Sequence, residues 1–174
     1  MPGSVAVAAP EPSATGNNLC TRLRPKRTYL LPGQLFTSSE AHVVTTVLGS
    51  CVAVCLWDGR LRAGGVNHYV LPHWTADGVS SLRFGRVAIE QLLAQMTALG
   101  GLRADLRAKV FGGAGLIANP AGGSLGDRNI QVAREVLQAE RIPIVAEDVG
   151  GRCGRKLIFH TDSGAAWVRS LGTG

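Results

Sequence analysis

The residues best suited to chemistry in this chain are a thiol and an imidazole, Cys51 and His68. The runs that carry them, Val52-Ala53-Val54-Cys55-Leu56-Trp57 and Gly64-Gly65-Val66-Asn67-His68-Tyr69-Val70-Leu71, read as strands, and Asp58-Gly59-Arg60 between them is a turn signal. A two-residue loop at Gly59-Arg60 sets Cys51 opposite His68, whereas a loop at Asp58-Gly59 sets it opposite Val66 and diagonal to His68. In either register both side chains leave the same face, because side chains alternate with a period of two. A bulge at Gly64-Gly65 is the irregularity that would defeat this. An imidazole beside a thiol takes its proton, so the expected pair is an imidazolium and a nucleophilic thiolate at neutral pH. Gly49-Ser50, just before the cysteine, permits close backbone approach to a substrate and aims an amide N–H at a developing oxyanion. Read for packing alone, the same residues are a small core hydrophobe and a satisfied strand histidine.

The remaining candidates are weaker. Cys55 lies on the Cys51 face, but Cys51, Cys55 and His68 have no evident fourth partner to complete a zinc site, so no metal is expected. His42, His73 and His160 are single histidines at strand ends or in loops, with solvated or structural roles. Gly112-Gly113-Ala114-Gly115 lacks the Lys-Ser/Thr of a phosphate loop and reads as a tight turn lining a cleft. The cysteines at 20, 51, 55 and 153 are unevenly spaced and no secretion signal is visible, so reduced thiols are expected.

These residues need a scaffold. Val43-Val44-Thr45-Thr46-Val47-Leu48 reads as a strand ending at Gly49-Ser50, and Lys109-Val110-Phe111 as a short strand. Between Arg83 and Leu99, apolar Val87, Ile89, Leu92, Leu93, Met96 and Leu99 recur at helical spacing, with Gly100-Gly101 as the stop. A second helix is expected after a Gly- and Pro-rich loop at Asn119–Gly126, with Asp127 as N-cap, Ile130, Ala133, Val136 and Leu137 buried, and Pro143 ending it. Residues 144–149, 156–160 and 166–168 read as further strands. The 23 glycines against nine aromatics also favour a strand-rich α/β domain over a helical bundle.

At 174 residues the chain is long enough for one domain, and 45% hydrophobic against 17% charged residues excludes disorder throughout. Residues 1–27, rich in Ala, Pro, Ser and Gly, read as a flexible tail before a domain at 28–174. The net charge of +6 is concentrated at Arg22, Arg24, Lys26 and Arg27. Without a Lys/Arg stripe or interleaved aromatics elsewhere, nucleic-acid binding is not expected. No stretch approaches a membrane span, and Val5–Ala9 is too short and lacks the basic flank of a signal peptide, so a soluble cytoplasmic protein is expected.

Several of these segments, in this order, resemble one family. They are Leu48-Gly49-Ser50-Cys51-Val52-Ala53-Val54, Gly64 to Pro72, Arg83-Phe84-Gly85, Lys109 to Ala114, Gly126-Asp127-Arg128-Asn129, Asp148-Val149-Gly150-Gly151 and Gly154-Arg155-Lys156. Together, over about residues 29–171, they resemble the chemoreceptor glutamine deamidases of the CheD family. The resemblance implies a bacterial chemotaxis enzyme, a protein-glutamine glutaminase that converts receptor glutamines to glutamates with release of ammonia. It implies layered mixed and antiparallel sheets with two main helices, similar to the catalytic domain of cytotoxic necrotizing factor. It matches the nucleophile to Cys51, the base to His68 and a third site residue to Thr45, with the adjacent Thr46 as the alternative hydroxyl. Gly49, Ser50 and Asn67 are the expected substrate-binding and oxyanion residues. The implied partners are methyl-accepting chemoreceptors as substrate and the phosphatase CheC; no cofactor is called for. The runner-up reading is a non-catalytic module that docks on receptor or CheC helices.

Overall fold

The structure, a computed structural model, describes residues 25–73, 81–115 and 123–172. The tail expected at 1–27 therefore lies outside the described residues up to position 24, as do residues 119–122 of the expected loop. Lys26 and Arg27, assigned to the tail by composition, are the first residues of strand β1 (Lys26–Tyr29), where they pair with His42 and Val43. Strand pairing outweighs the polar local composition at these two positions.

The other strands are β2 (Gln34–Ser38), β3 (His42–Leu48), β4 (Val52–Asp58), β5 (Ala63–His68), β6 (Leu106–Gly112), β7 (Ile144–Val149), β8 (Gly154–His160) and β9 (Ala166–Leu171). They form a four-stranded sheet ordered β1-β3-β8-β9 and a five-stranded sheet ordered β2-β5-β4-β6-β7. Pairs β1/β3 and β6/β7 are parallel and the rest antiparallel, so both sheets are mixed. Two helices, α1 (Gly85–Ala98) and α2 (Leu125–Ala139), cover one face of the five-stranded sheet. This is the expected α/β class.

Alternation along β4 sorts its side chains into two cores. Val52, Val54 and Leu56 join Ile89, Leu92, Leu93 and Met96 of α1 and Val132, Ala133, Val136 and Leu137 of α2. Ala53 and Cys55 turn the other way, packing with Val44 and Leu48 of β3 and Leu157 and Phe159 of β8. The result is three layers: helices, five-stranded sheet, four-stranded sheet. Each fully buried Leu or Ile contributes about 1.5–3 kcal/mol of transfer free energy. No helix among the described residues is long and apolar enough to cross a membrane.

Local chemistry explains the helix ends. Gly100, at φ +94°, takes the left-handed position after α1, while the Gly100 and Gly101 amides close on the Thr97 and Met96 carbonyls. Leu99, expected on the buried stripe, is instead the cap residue and 37% exposed. At α2 the cap is Ser124, not Asp127. The Ser124 hydroxyl accepts from the Asp127 amide, and the Asp127 carboxylate accepts from the Ser124 amide, forming a capping box. That reciprocal bonding also holds the Asp127 carboxyl below its ordinary pKa.

Candidate active site

The β4–β5 hairpin positions both the thiol and the imidazole, in a register that neither two-residue loop gives. Asp58 pairs with Ala63 and encloses a four-residue connection. The buried Asp58 carboxylate accepts from the Arg60 and Leu61 amides at 2.9 and 3.0 Å, and Arg62 completes the turn at φ 52°. The pairs Cys55↔Val66 and Val52↔Tyr69 lie in one common register, so no residue is inserted between them. Extending that register sets Cys51 opposite Val70 and diagonal to His68. The expected loop was wrong, yet the shared face survives because the register moved by an even number of residues.

That face looks into the space between the two sheets. The third group comes from across this space: Thr46 Oγ1 lies 2.9 Å from His68 Nδ1. Thr45, the first choice for this position, points out of the other side of β3 and is half-exposed, whereas Thr46 is 1% exposed and faces inward with Val44 and Leu48. The structure thus brings Thr46, not Thr45, to His68. Alternation decides it: neighbours in a strand cannot share a face.

The hydrogen bonds also assign the tautomer. Thr46 Oγ1 lies 2.8 Å from the Leu30 carbonyl, which can only accept. The hydroxyl proton is used there, so the hydroxyl accepts from an Nδ1–H of His68. Nε2 then carries the free lone pair, and among the described residues it is buried without a hydrogen-bond partner. His68 is 2% exposed. Burial pushes its pKa below the ordinary imidazole value, partly opposed by the Leu30 carbonyl. Cys51 is half-buried, and burial pushes its thiol up, opposed by a backbone hydrogen bond at Cys51 and the positive charge of Arg83. Burial therefore disfavours the charged form of both members of the expected thiolate–imidazolium pair.

Three carbonyls fix the turn before the nucleophile. Gly49 O accepts from Ala114 N at 2.8 Å, Ser50 O from Asn129 Nδ2 at 2.9 Å and Cys51 O from Gly113 N at 2.8 Å. In a trans peptide the C=O and the following N–H point in opposite directions. The Ser50 and Cys51 amides consequently face away from the 112–114 segment and from α2. Gly112 makes this approach possible: at φ +107° a side chain there would overlap the Cys51 carbonyl oxygen. Arg155 props the same segment from β8, donating to Gly112 O and Gly150 O at 2.8 Å each while pairing with Asp148 at 3.0 Å.

Asn67 does not join this group. It projects from the face opposite His68, and its Oδ1 accepts from Val54 N at 2.9 Å, substituting for a ladder carbonyl. The residue that sequence reasoning passed over is Asn129. Fully buried on α2, it bridges Ser50 O and Val70 O with one Nδ2, each at 2.9 Å, and so ties the nucleophile turn to the strand end opposite Cys51. The signal was present, since Asn129 ends the Gly126-Asp127-Arg128-Asn129 motif. Its target becomes visible only once α2 docks. Cys55 is fully buried and held as a thiol far above its ordinary pKa, while Cys51 and Cys153 are half-buried. Cys20 lies outside the described residues.

Comparison with known proteins identifies the family. The family model for CheD chemotactic sensory transduction matches residues 70–170. A protein of Anaeromyxobacter dehalogenans named "Probable chemoreceptor glutamine deamidase CheD 1" is 51% identical over 144 residues, 82% of this chain and 84% of its own. Proteins named "Probable chemoreceptor glutamine deamidase CheD" from Trichlorobacter lovleyi and Sulfurimonas denitrificans are 46% and 44% identical, over 80% and 83% of this chain and 87% and 94% of theirs. Stretches of that length necessarily include positions 51 and 68, which precede the family-model match. The chain belongs to the CheD chemotactic sensory transduction family.

Proposed function

We propose that this protein is a chemoreceptor glutamine deamidase that uses Cys51 as nucleophile and His68 as general base and acid. One observation carries the reading: a buried imidazole, its Nδ1 held by Thr46 and its Nε2 without a partner among the described residues, on the same inter-sheet face as a half-buried thiol. Family membership and the names of the relatives supply the substrate class, receptor glutamines, and CheC is the second partner that the resemblance implies.

The thiol sulfur attacks the carboxamide carbon of a substrate glutamine as its proton passes to His68 Nε2. The carbonyl oxygen becomes an oxyanion, for which the Ser50 and Cys51 amides serve as donors. The tetrahedral centre collapses, the C–N bond breaks, and the imidazolium protonates the departing nitrogen as ammonia. A water then gives its proton to His68 Nε2 and attacks the thioester, and the expelled thiolate recovers a proton from the imidazolium. The product is glutamate, and every step uses residues of this chain. A pair whose charged forms are disfavoured suits this route, because the proton moves with the attack.

Ammonia release from a purified receptor cytoplasmic fragment, with intact-mass analysis locating each amide converted to acid, tests the reading; no release by the wild-type protein overturns it. The pH dependence tests the base. His68 must be neutral to accept a proton, and burial disfavours its charged form, so neutrality persists to lower pH. The acid limb of kcat/KM is expected below the ordinary imidazole value of 6.5. A limb above it would mean that the site stabilises the imidazolium.

Asn129 is a positioning residue on this reading. Asn129→Asp keeps the shape but removes the Nδ2 donor shared by Ser50 O and Val70 O. The expected outcome is a fall in kcat of about 10²-fold, the scale of a lost oxyanion donor, with KM and the alkylation rate of Cys51 unchanged. A matching fall in alkylation would indicate general damage to the site instead.

A further inference from the structure

Most of the outer face of the four-stranded sheet is open among the described residues, with Val43 its buried position, and its composition is unusual for a solvated face. Register aligns Tyr29, Thr45, Ile158 and Trp167 in one row and Val47, Lys156 and Arg169 in the next. Tyr29 is 55% exposed, Val47 41% and Trp167 53%, and Leu31 in the adjoining loop 52%; these are four of the seven large apolar side chains exposed among the described residues. A sheet with one face in water ordinarily shows polar side chains there, and clustered exposed aromatics mark contact surfaces. The four strands carry Lys26, Arg27, Arg155, Lys156 and Arg169 and not one Asp or Glu. Lys26 pairs with Glu40 and Arg155 with Asp148, which leaves Arg27, Lys156 and Arg169 without an ion pair among the described residues.

This strip reaches the candidate site. Leu31 follows Leu30, whose carbonyl holds Thr46, and precedes Gly33, whose amide donates to the His68 carbonyl. Val47 lies at the end of β3 that leads into the Gly49-Ser50-Cys51 turn. The side chain of Arg83 packs against Gly33 and adds a cation at the same rim.

We propose that the outer face, from Trp167 through Lys156, Arg169 and Val47 to Leu31, docks an acidic helical face of the receptor substrate and presents its glutamines to Cys51. The proposal rests on the deamidase reading for the identity of the partner. Charge selects a partner over the chain's own tail: residues 1–24 continue from β1 but carry Arg22 and Arg24 against one acid, Glu11, and no aromatic residue. A cationic, apolar strip repels such a segment and attracts a surface with carboxylates between apolar positions. Each turnover adds a carboxylate to the partner, so the deamidated form binds more tightly than the starting form.

The test uses the full chain with Lys156→Glu/Arg169→Glu, and separately Trp167→Ala, neither of which touches Cys51, His68 or Thr46. Turnover is measured on a purified receptor cytoplasmic fragment and on a short peptide holding the same glutamine. The expected result is a loss of at least about tenfold in kcat/KM on the folded fragment, on the scale of interface hot spots, with peptide turnover unchanged. Equal turnover of the fragment by variant and wild type overturns the proposal, and so does a parallel loss on the peptide. A binding arm is independent of turnover: Cys51→Ser protein is titrated with the fragment in its Gln and Glu forms, read by the change in tryptophan fluorescence that Trp167→Ala removes. Tighter binding of the Glu form, weakening with salt and abolished by the charge reversal, supports docking; equal binding of both forms by wild-type and reversed strips overturns it. If wild-type protein releases no ammonia from either substrate, the deamidase reading fails while the binding arm still decides the surface.

Discussion

Cys51→Ala is expected to abolish ammonia release from receptor fragments, with kcat falling by at least about 10⁴-fold, because it removes the nucleophile that forms the thioester. The alternatives are poor. Cys55 is fully buried in the inter-sheet core and its thiol is pushed far up, and Cys153 lies in the β7–β8 connection. The fold should tolerate the change. Cys51 is small and half-buried, its carbonyl bond to Gly113 is a backbone contact that alanine keeps, and a loss of about 1 kcal/mol moves the melting temperature by only a few degrees. Docking on the fragment should persist, which separates an enzyme from a module that merely binds. Ammonia release near the wild-type rate would remove Cys51 from the mechanism.

His68→Ala is expected to lose about 10³- to 10⁴-fold in kcat, and the Cys51→Ala/His68→Ala double variant to cost hardly more than Cys51→Ala alone. A nucleophile and the base that deprotonates it act as one unit, so the second removal finds little left to lose. Additive losses, measured as separate rate effects that multiply, would mean that the two residues do not cooperate. The neighbouring threonines sharpen the test. Thr46→Val removes the hydroxyl that accepts from Nδ1–H and leaves that donor buried and unpaired, so a loss of about 10- to 100-fold is expected, as for other orienting partners of an imidazole. Thr45→Val lies on the outward side of β3 and should change kcat by less than about twofold. The reverse ranking would return the third site residue to Thr45.

Much of this arrangement is legible in the sequence because it depends on local alternation. The runs at 42–48 and 52–58 are apolar and β-branched, and the Cys51/His68 face followed from parity alone, which is why it survived a wrong loop. Apolar spacing in α1 and α2 likewise marked their buried stripes, and Gly100-Gly101 marked a stop whose geometry required glycine. The strands β1 and β2 were missed. Lys26–Tyr29 and Gln34–Ser38 are short, mostly polar and partly exposed, so they hold their conformation by pairing with β3 and β5 and carry little periodic signal of their own.

Other features exist only in the packed molecule. Parity says that Thr45 and Thr46 face opposite ways, but not which of those ways is inward; that was decided when the inner face of β3 met β4 and β5. The same encounter took Cys51 and His68 partly or wholly out of water, which disfavours the charged form of each and so works against the ion pair expected from their types alone. Asn67 and Asn129 differ for the same reason: one is used within its own sheet, and the other reaches Ser50 and Val70 only after α2, far along the chain, packs on that sheet. Local sequence determines the period of a strand or helix and therefore which residues share a face. Which faces then meet, and how dry the space between them becomes, depends on contacts between distant segments, and those contacts set the hydrogen-bond partners and proton affinities of the site.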